Sequence, residues 1–251
     1  MVKIIMNGCN GRMGQFITKL AKEDDGVQIV AGVDLFDGIV NDYPVFKSLK
    51  ECNIDADVLI DFTAASVLSD VIEFCSNKCM PAVICSTGYS DEQIKNIKDL
   101  SSKVAVLKSA NMSLGVNVLL KLIKEAAKTL SKEGFDIEIV EKHHNQKKDA
   151  PSGTALALAD SINEACDNCY EYIYDRSQRS AKRDAKELGI SAVRGGTIVG
   201  EHDIIFAGED EVITFEHSAY SRAIFAKGAL SAAKFLAGKP AGMYDMQDVI
   251  G

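Results

Sequence analysis

The sequence predicts an α/β chain in two parts: a half built on a parallel sheet, then an α+β half with a mainly antiparallel or mixed sheet. Three observations predict it. The chain opens as strand, glycine turn, helix and second strand. Short apolar runs then alternate with helical patterns as far as residue 114. From Gly115 that alternation gives way to one long amphipathic helix and several strands joined by short turns.

Taken in order, residues 3–7 form a short apolar run ended by Gly8-Cys9-Asn10-Gly11-Arg12-Met13-Gly14. Phe16, Ile17, Leu20 and Ala21 then recur at helical spacing. Val27–Val33 reads as the second strand and ends in Asp34. Apolar runs at 57–62, 82–85 and 104–107 run into small polar residues: Phe62-Thr63, Ser86-Thr87-Gly88 and Ser109-Ala110-Asn111-Met112-Ser113. Each is followed by a helical pattern. In the second half, Val116, Leu119, Leu122, Ile123, Ala126, Ala127 and Leu130 share one helix face, closed by Gly134. Residues 135–140 alternate with period two and predict a strand. Leu156, Ala159 and Ile162 mark one face of a helix that starts near Ser152. Further strands are expected at 191–194, 197–207 and 212–217, the last two around the hairpin signal Gly208-Glu209-Asp210. A helix over Ala223–Leu236, stopped by Gly238 and Pro240, is expected to pack back on the first half.

The bulk numbers exclude several functions. A net charge of −8 over 251 residues opposes nucleic-acid binding, which needs a basic face. No apolar stretch reaches 18 residues, and the N-terminus lacks a charged-then-apolar leader, so neither a membrane span nor export is expected. Seven scattered cysteines, an odd number, read as reduced thiols of a cytoplasmic protein. Cys166 and Cys169 form a C-x-x-C with no second pair to complete a zinc site. Adjacent histidines such as His143 and His144 rarely share one metal, so His202 and His217 do not make a zinc set with them, and no metal is expected.

Strand, glycine turn, helix, strand and terminal acid are the layout of a Rossmann-like dinucleotide site. The glycines let a pyrophosphate approach the amides at the helix start, and Asp34 can accept hydrogen bonds from ribose hydroxyls. The small polar residues after the other strands stand where a parallel sheet lines its ligand crevice. In the second half the chemistry concentrates in Glu141-Lys142-His143-His144-Asn145-Gln146-Lys147-Lys148-Asp149-Ala150-Pro151-Ser152-Gly153-Thr154-Ala155. Histidine delivers protons near neutral pH, lysine is a cation that can act as an acid, and the amides of Gly153 and Thr154 head a helix suited to a carboxylate. Lys142 and Lys148 read as ordinary solvated surface. No basic stripe for reading DNA accompanies the nucleotide half, which disfavours a nucleotide-sensing regulator.

The glycine turn with Arg12-Met13, Asp61-Phe62-Thr63, Ser86-Thr87-Gly88, Asn111-Met112-Ser113-Leu114-Gly115, the 141–155 segment, Arg194-Gly195-Gly196, Gly200-Glu201-His202 and Tyr244-Asp245-Met246 occur in one order. Together they resemble the 4-hydroxy-tetrahydrodipicolinate (dihydrodipicolinate) reductase family of bacterial lysine and diaminopimelate synthesis, over essentially the whole chain. The resemblance implies His143 as proton donor and acceptor and Lys147 as a second proton donor. It implies His144, Gly153 and Thr154 as holders of the substrate carboxylates. For the cofactor it implies Gly8, Cys9, Asn10, Gly11, Arg12, Met13, Asp34, Cys85, Ser86, Thr87, Ala110, Asn111, Met112 and Ser113. It further implies NADH or NADPH as cofactor, a small cyclic dicarboxylate as substrate, and a homotetramer. On this reading residues 1–114 plus 219–251 form a discontinuous dinucleotide-binding domain and 115–218 a substrate-binding and oligomerisation domain.

Three departures from the family pattern stand out. Cys85 and Ser86 replace the first two residues of a G-T-T-G turn; Ser86 keeps the hydroxyl, and Cys85 is expected to contribute backbone only. Asn145 stands where many members carry arginine. Leu35 follows the ribose acid where NADPH-accepting members often have arginine, so a 2′-phosphate would face Asp34 without an evident partner, and NADH is the expected preference.

Overall fold

The apolar run after Met1 is buried on both sides: Ile4 and Met6 enter one apolar cluster and Ile5 the opposite one. Burial on both faces is the signature of a strand inside a parallel sheet. In the computed structural model, which describes residues 1–109 and 111–251, the first elements are β1 Val2–Asn7, α1 Arg12–Ala21, β2 Val27–Val33, β3 Val45–Phe46, β4 Val58–Asp61, α2 Leu68–Lys78, β5 Ala82–Ile84, α3 Asp91–Ser101, β6 Ala105–Lys108 and α4 Leu114–Leu130. Then come β7 Asp136–His143, α5 Gly153–Ala165, β8 Glu171–Ile173, β9 Glu187–Arg194, β10 Gly200–Ala207, β11 Val212–Ala219, α6 Ala223–Leu236, β12 Gly242–Tyr244 and α7 Met246–Ile250. Ala110, one of the cofactor positions expected above, lies outside the described residues. The chain divides into two compact units, 1–114 with 222–251, and 115–221.

The first unit holds a seven-stranded sheet in the order β12-β6-β5-β4-β1-β2-β3, with every pairing parallel. From β3 to β6 this is the doubly wound order, in which the chain reverses direction between β1 and β4. Ligands bind beyond the strand ends at such a reversal. Val58 and Ile60 join Ile4 and Met6 against Ile17 of α1 and Ala229, Ala232 and Ala233 of α6. Leu59, Ala82, Ile84 and Val106 face the other way, against Val71 and Phe74 of α2 and Ile97 and Leu100 of α3. At Gly228 a Cβ would stand 1.6 Å from the Met112 carbonyl oxygen, so only glycine lets α6 lie this close to the loop after β6. β3, β8 and β12 span two or three residues each, too few to register as a periodic signal.

The second unit carries a five-stranded sheet in the order β11-β10-β7-β9-β8. β10 runs antiparallel to β11 and β7, while β7 and β8 run parallel to β9. The parallel half arises because α5 carries the chain back over the sheet between β7 and β8, and the long connection at 174–186 does so again before β9, each crossover returning a strand parallel. β9 begins four residues earlier than the expected 191 and β10 three residues later than 197. Along β7, Ile137 and Ile139 pack under Leu119 and Ile123 of α4 and Leu158 and Ile162 of α5. On α5 the fully buried face runs through Ala155, Leu158, Ala159 and Ile162, with Leu156 at its margin. The same period-two face of β7 continues into Glu141 and His143, both buried. A strand that begins as core thus ends as chemistry.

Candidate active site

In the first unit the glycine turn is shaped by close approach. Gly8 has φ +83°, and a Cβ on it would stand 2.8 Å from the Phe62 carbonyl oxygen; one on Gly14 would stand 2.2 Å from the Gly8 carbonyl oxygen. Gly11 caps α1 with no side-chain hydrogen bond, so the amides of the first turn face the turn itself, the arrangement that receives a phosphate. A cavity of about 400 Å³ opens there, lined by Asn7 and Gly8 after β1, Gly11, Asp34 and Leu35 after β2, Lys47 and Ser48 after β3, and Phe62 and Thr63 after β4. Asp34 is oriented by its own loop: its carboxylate accepts the Asn10 amide at 2.9 Å and the Phe36 amide at 3.0 Å. The Asn10 side chain donates to the Phe36 carbonyl and accepts from Asn41 at 2.8 Å. Arg12 is exposed and Met13 packs partly into the core below.

The remaining cofactor positions lie after β5 and its neighbour β6. Cys85 is buried in the core and its amide donates to the Asp61 carbonyl at 3.0 Å, so its side chain presents nothing to a ligand. Burial also pushes the thiols of Cys85 and Cys9 up, Cys9 to about 11, which keeps both as inert thiols. Ser86 does keep a hydroxyl, but spends it internally, on Asp61 Oδ2 at 2.9 Å and the Thr63 carbonyl at 2.7 Å. Thr87 is exposed. Met112 is buried, and Asn111 accepts the Ser113 amide at 2.9 Å while exchanging hydrogen bonds with Ser109.

Asp61 itself was only a strand end in the sequence, and the structure gives it a task. It is 1% exposed and accepts Asn7 Nδ2 at 2.8 Å, Thr63 Oγ1 at 2.7 Å and Ser86 Oγ at 2.9 Å. Burial pushes its carboxyl up and these three hydrogen bonds pull it back. One side chain therefore ties together the loops after β1, β4 and β5.

In the second unit Glu141 is fully buried and is the hub of the 141–155 segment. Its Oε2 lies 2.6 Å from His143 Nδ1; Arg194 grips both oxygens, at 2.8 and 2.7 Å; and the Ser152 amide donates to Oε1 at 2.9 Å. Burial alone would raise the Glu141 carboxyl, but the hydrogen bonds from Arg194, His143 and Ser152 outweigh it and hold it ionised. An ionised carboxylate only accepts, so Nδ1 of His143 carries the hydrogen and Nε2 the lone pair. Burial, with the charges of Lys147 and Arg194, lowers the His143 proton affinity below the ordinary imidazole value, against the pull of Glu141. Nε2 faces Gly200, where a Cβ would come within 3.0 Å of it.

Ser152 is the N-cap of α5 and accepts the Ala155 amide at 3.1 Å. Its hydroxyl also meets His202 Nε2 at 3.0 Å; burial lowers that ring to about 4, so it stands neutral as a prop for the helix start. Gly153 and Thr154 head the helix as expected, with nothing within 4 Å of a Cβ built on Gly153. Lys147 is mostly buried and grips Asp149 with 2.8 Å contacts to both oxygens, and its amide donates to the His144 carbonyl at 3.1 Å. The turn at 195–196 is stitched on by Gly195 to the His143 carbonyl at 2.9 Å and Asn145 to the Gly196 carbonyl at 3.2 Å. Lys142, on the opposite face of β7, pairs with Glu201 and Asp203 at 3.2 and 3.0 Å, and Lys148 is exposed. The second unit thus gathers His143, His144, Lys147, Gly153 and Thr154 in one segment, a setting for an anion and for proton transfer. Glu141, Arg194, Ser152 and His202, which hold it, were not named as functional from sequence. Among the described residues no group of three His, Cys, Asp or Glu side chains could hold a metal ion.

Known proteins match along the whole chain. Residues 2–112 match the family model described as dihydrodipicolinate reductase, N-terminus, and residues 115–250 the one described as dihydrodipicolinate reductase, C-terminus. The chain is 52% identical to the 4-hydroxy-tetrahydrodipicolinate reductase of Caldanaerobacter subterraneus subsp. tengcongensis, over 100% of this chain and 98% of that protein. It is 50% identical to the protein of the same name from Clostridium tetani, over 98% and 96%. Among solved structures, the dipicolinate-bound dihydrodipicolinate reductase of Paenisporosarcina sp. TG-14 superposes with a TM-score of 0.84 at 26% identity, each chain fully covered.

Proposed function

This chain belongs to the dihydrodipicolinate reductase family, and from that premise we propose how its residues carry the family's reaction. The protein reduces 4-hydroxy-tetrahydrodipicolinate to tetrahydrodipicolinate in lysine and diaminopimelate synthesis, using NADH or NADPH. The glycine turn fits such a nucleotide: Gly8 and Gly14 have no room for a Cβ, and Gly8, Gly11 and Asp34 line one cavity. When bound, the nicotinamide supplies the hydride. The chain's part is to hold the dicarboxylate and to handle the protons. His144 and the start of α5 at Gly153 and Thr154 hold the carboxylates, where the helix amides offset their charge. Lys147 and His143 exchange protons with the substrate as water leaves and the ring is reduced.

The observation that carries this assignment is the buried Glu141–His143 pair, whose carboxylate also holds the amide of the Ser152 cap. One group thereby sets both a proton-handling ring and the helix start beside it. We also place the protein in the cytoplasm, a reading its seven unpaired cysteines support. We place it in a homotetramer joined through the second sheet, where Val193, Val212 and Ile213 are exposed. No described helix is long and apolar enough to cross a membrane.

The direct check is oxidation of NADH and NADPH, side by side, with freshly synthesised substrate. Both nucleotides should be consumed only when substrate is present, NADH with the higher kcat/KM. A protein that binds NADH yet oxidises none would instead fit a nucleotide-sensing role.

A further inference from the structure

Lys47 lies outside the glycine turn, yet the sheet register brings it to the end of β2. Val33 pairs with Phe46, and the Asp34 amide donates to the Phe46 carbonyl at 3.0 Å. The residue after Phe46 therefore stands beside Asp34 and Leu35. Its Nζ donates to the Leu35 carbonyl at 3.1 Å and pairs with Asp37 at 2.5 Å, and its side chain lines the same cavity as Asp34. Leu35, 83% exposed, brings no charge to this place.

A dinucleotide whose pyrophosphate rests on the glycine turn sets its adenosine ribose at the end of the second strand. A phosphate on that ribose would meet the Asp34 carboxylate and needs a cation within reach. We propose that Lys47 is that cation: a specificity residue that gives NADPH a foothold in a site whose acid otherwise favours NADH. The inference rests on the cofactor reading above and assigns the partner that the residue after Asp34 does not provide. Lys47 is able to change partners because its pair with Asp37 is at the surface, with the two side chains 50% and 76% exposed, and such pairs hold weakly. A phosphate offers it more charge and more acceptor oxygens than one carboxylate. Asp37 opposes the exchange, so the two residues act on NADPH with opposite sign.

The test is direct binding of NADH and NADPH to the full chain, followed by nicotinamide fluorescence without any dicarboxylate. Lys47→Ala should weaken NADPH about tenfold, with NADH changed by less than about twofold, as expected for loss of one charge-assisted contact. Asp37→Asn should tighten NADPH about threefold and leave NADH in place, and both effects should shrink with added salt. If NADH binds but the NADPH-to-NADH ratio stays unmoved in both variants, or Lys47→Ala weakens the two nucleotides equally, the role of Lys47 is overturned alone. A wild-type chain that binds neither nucleotide overturns the cofactor reading, and Lys47 falls with it.

Discussion

Lys147→Ala and His143→Ala are each expected to lower kcat by about two to four decades, the span a positioned acid or base contributes. The proposed reading gives them separate roles. His143 Nδ1 is committed to the ionised Glu141, and burial keeps the ring neutral at pH 7 in the free protein. On that reading the neutral ring takes a proton through Nε2 as water leaves the substrate, and the ammonium of Lys147 is proposed to give the proton that completes the reduction. The pH profile carries the sign. The His143 proton affinity is lowered, so kcat/KM should hold down to pH 6.5 and fall only further into acid, as Nε2 becomes protonated. His143→Ala should lose that acid limb together with its activity. Near-normal turnover in both variants would remove these residues from the chemistry.

Glu141→Ala is expected to unfold most readily of the single changes considered. It leaves Arg194 without its carboxylate and the buried Ser152 amide without an acceptor. Breaking a buried pair costs about 3–5 kcal/mol, and the lower end applies because Arg194 keeps part of its side chain in water. Since the Glu141 carboxyl is held below its ordinary value of 4.5, its contribution is present above that pH and is lost as pH falls below it. The gap in stability between wild type and Glu141→Ala should therefore narrow in acid. Glu141→Gln separates positioning from folding. It keeps the shape but accepts only two of the four donors that the carboxylate satisfies, and it no longer fixes the hydrogen on Nδ1, so kcat should fall by about 10²-fold with the KM for NADH unchanged. A purely structural Glu141 would lower the melting temperature in this variant and leave the pH profile where it was.

Much of this site could be read along the chain because its residues are local in sequence. The glycine turn, Asp34 and the 141–155 segment each carry their meaning in spacing, and the structure keeps each as one local unit. What escaped depends on register. Glu141 opened the 141–155 segment with no role of its own until β7 placed it on the same buried face as Ile137 and Ile139. Arg194 reaches it because β9 returns parallel to β7 and pairs Arg194 with His143; a mainly antiparallel sheet would not have suggested that partner. The period-two burial of residues 137–143 was the one available signal, since a glutamate at an inward position needs a cation. Lys47 was equally silent: β3 is two residues long, and only its pairing with β2 shows which loop it serves. Ser86 shows the reverse, a hydroxyl read as available for the cofactor that the fold uses to hold Asp61.

The central claim is that this chain passes a hydride from a reduced nicotinamide to a cyclic dicarboxylate and adds a proton from the 141–155 segment. Turnover of freshly formed 4-hydroxy-tetrahydrodipicolinate with NADH deuterated at the transferable position tests it most directly. The account predicts one deuterium retained on carbon in tetrahydrodipicolinate from wild-type protein, and a rate of its appearance reduced by about two decades or more in Lys147→Ala. Product without deuterium, or deuterium transfer at the wild-type rate in Lys147→Ala, would contradict it.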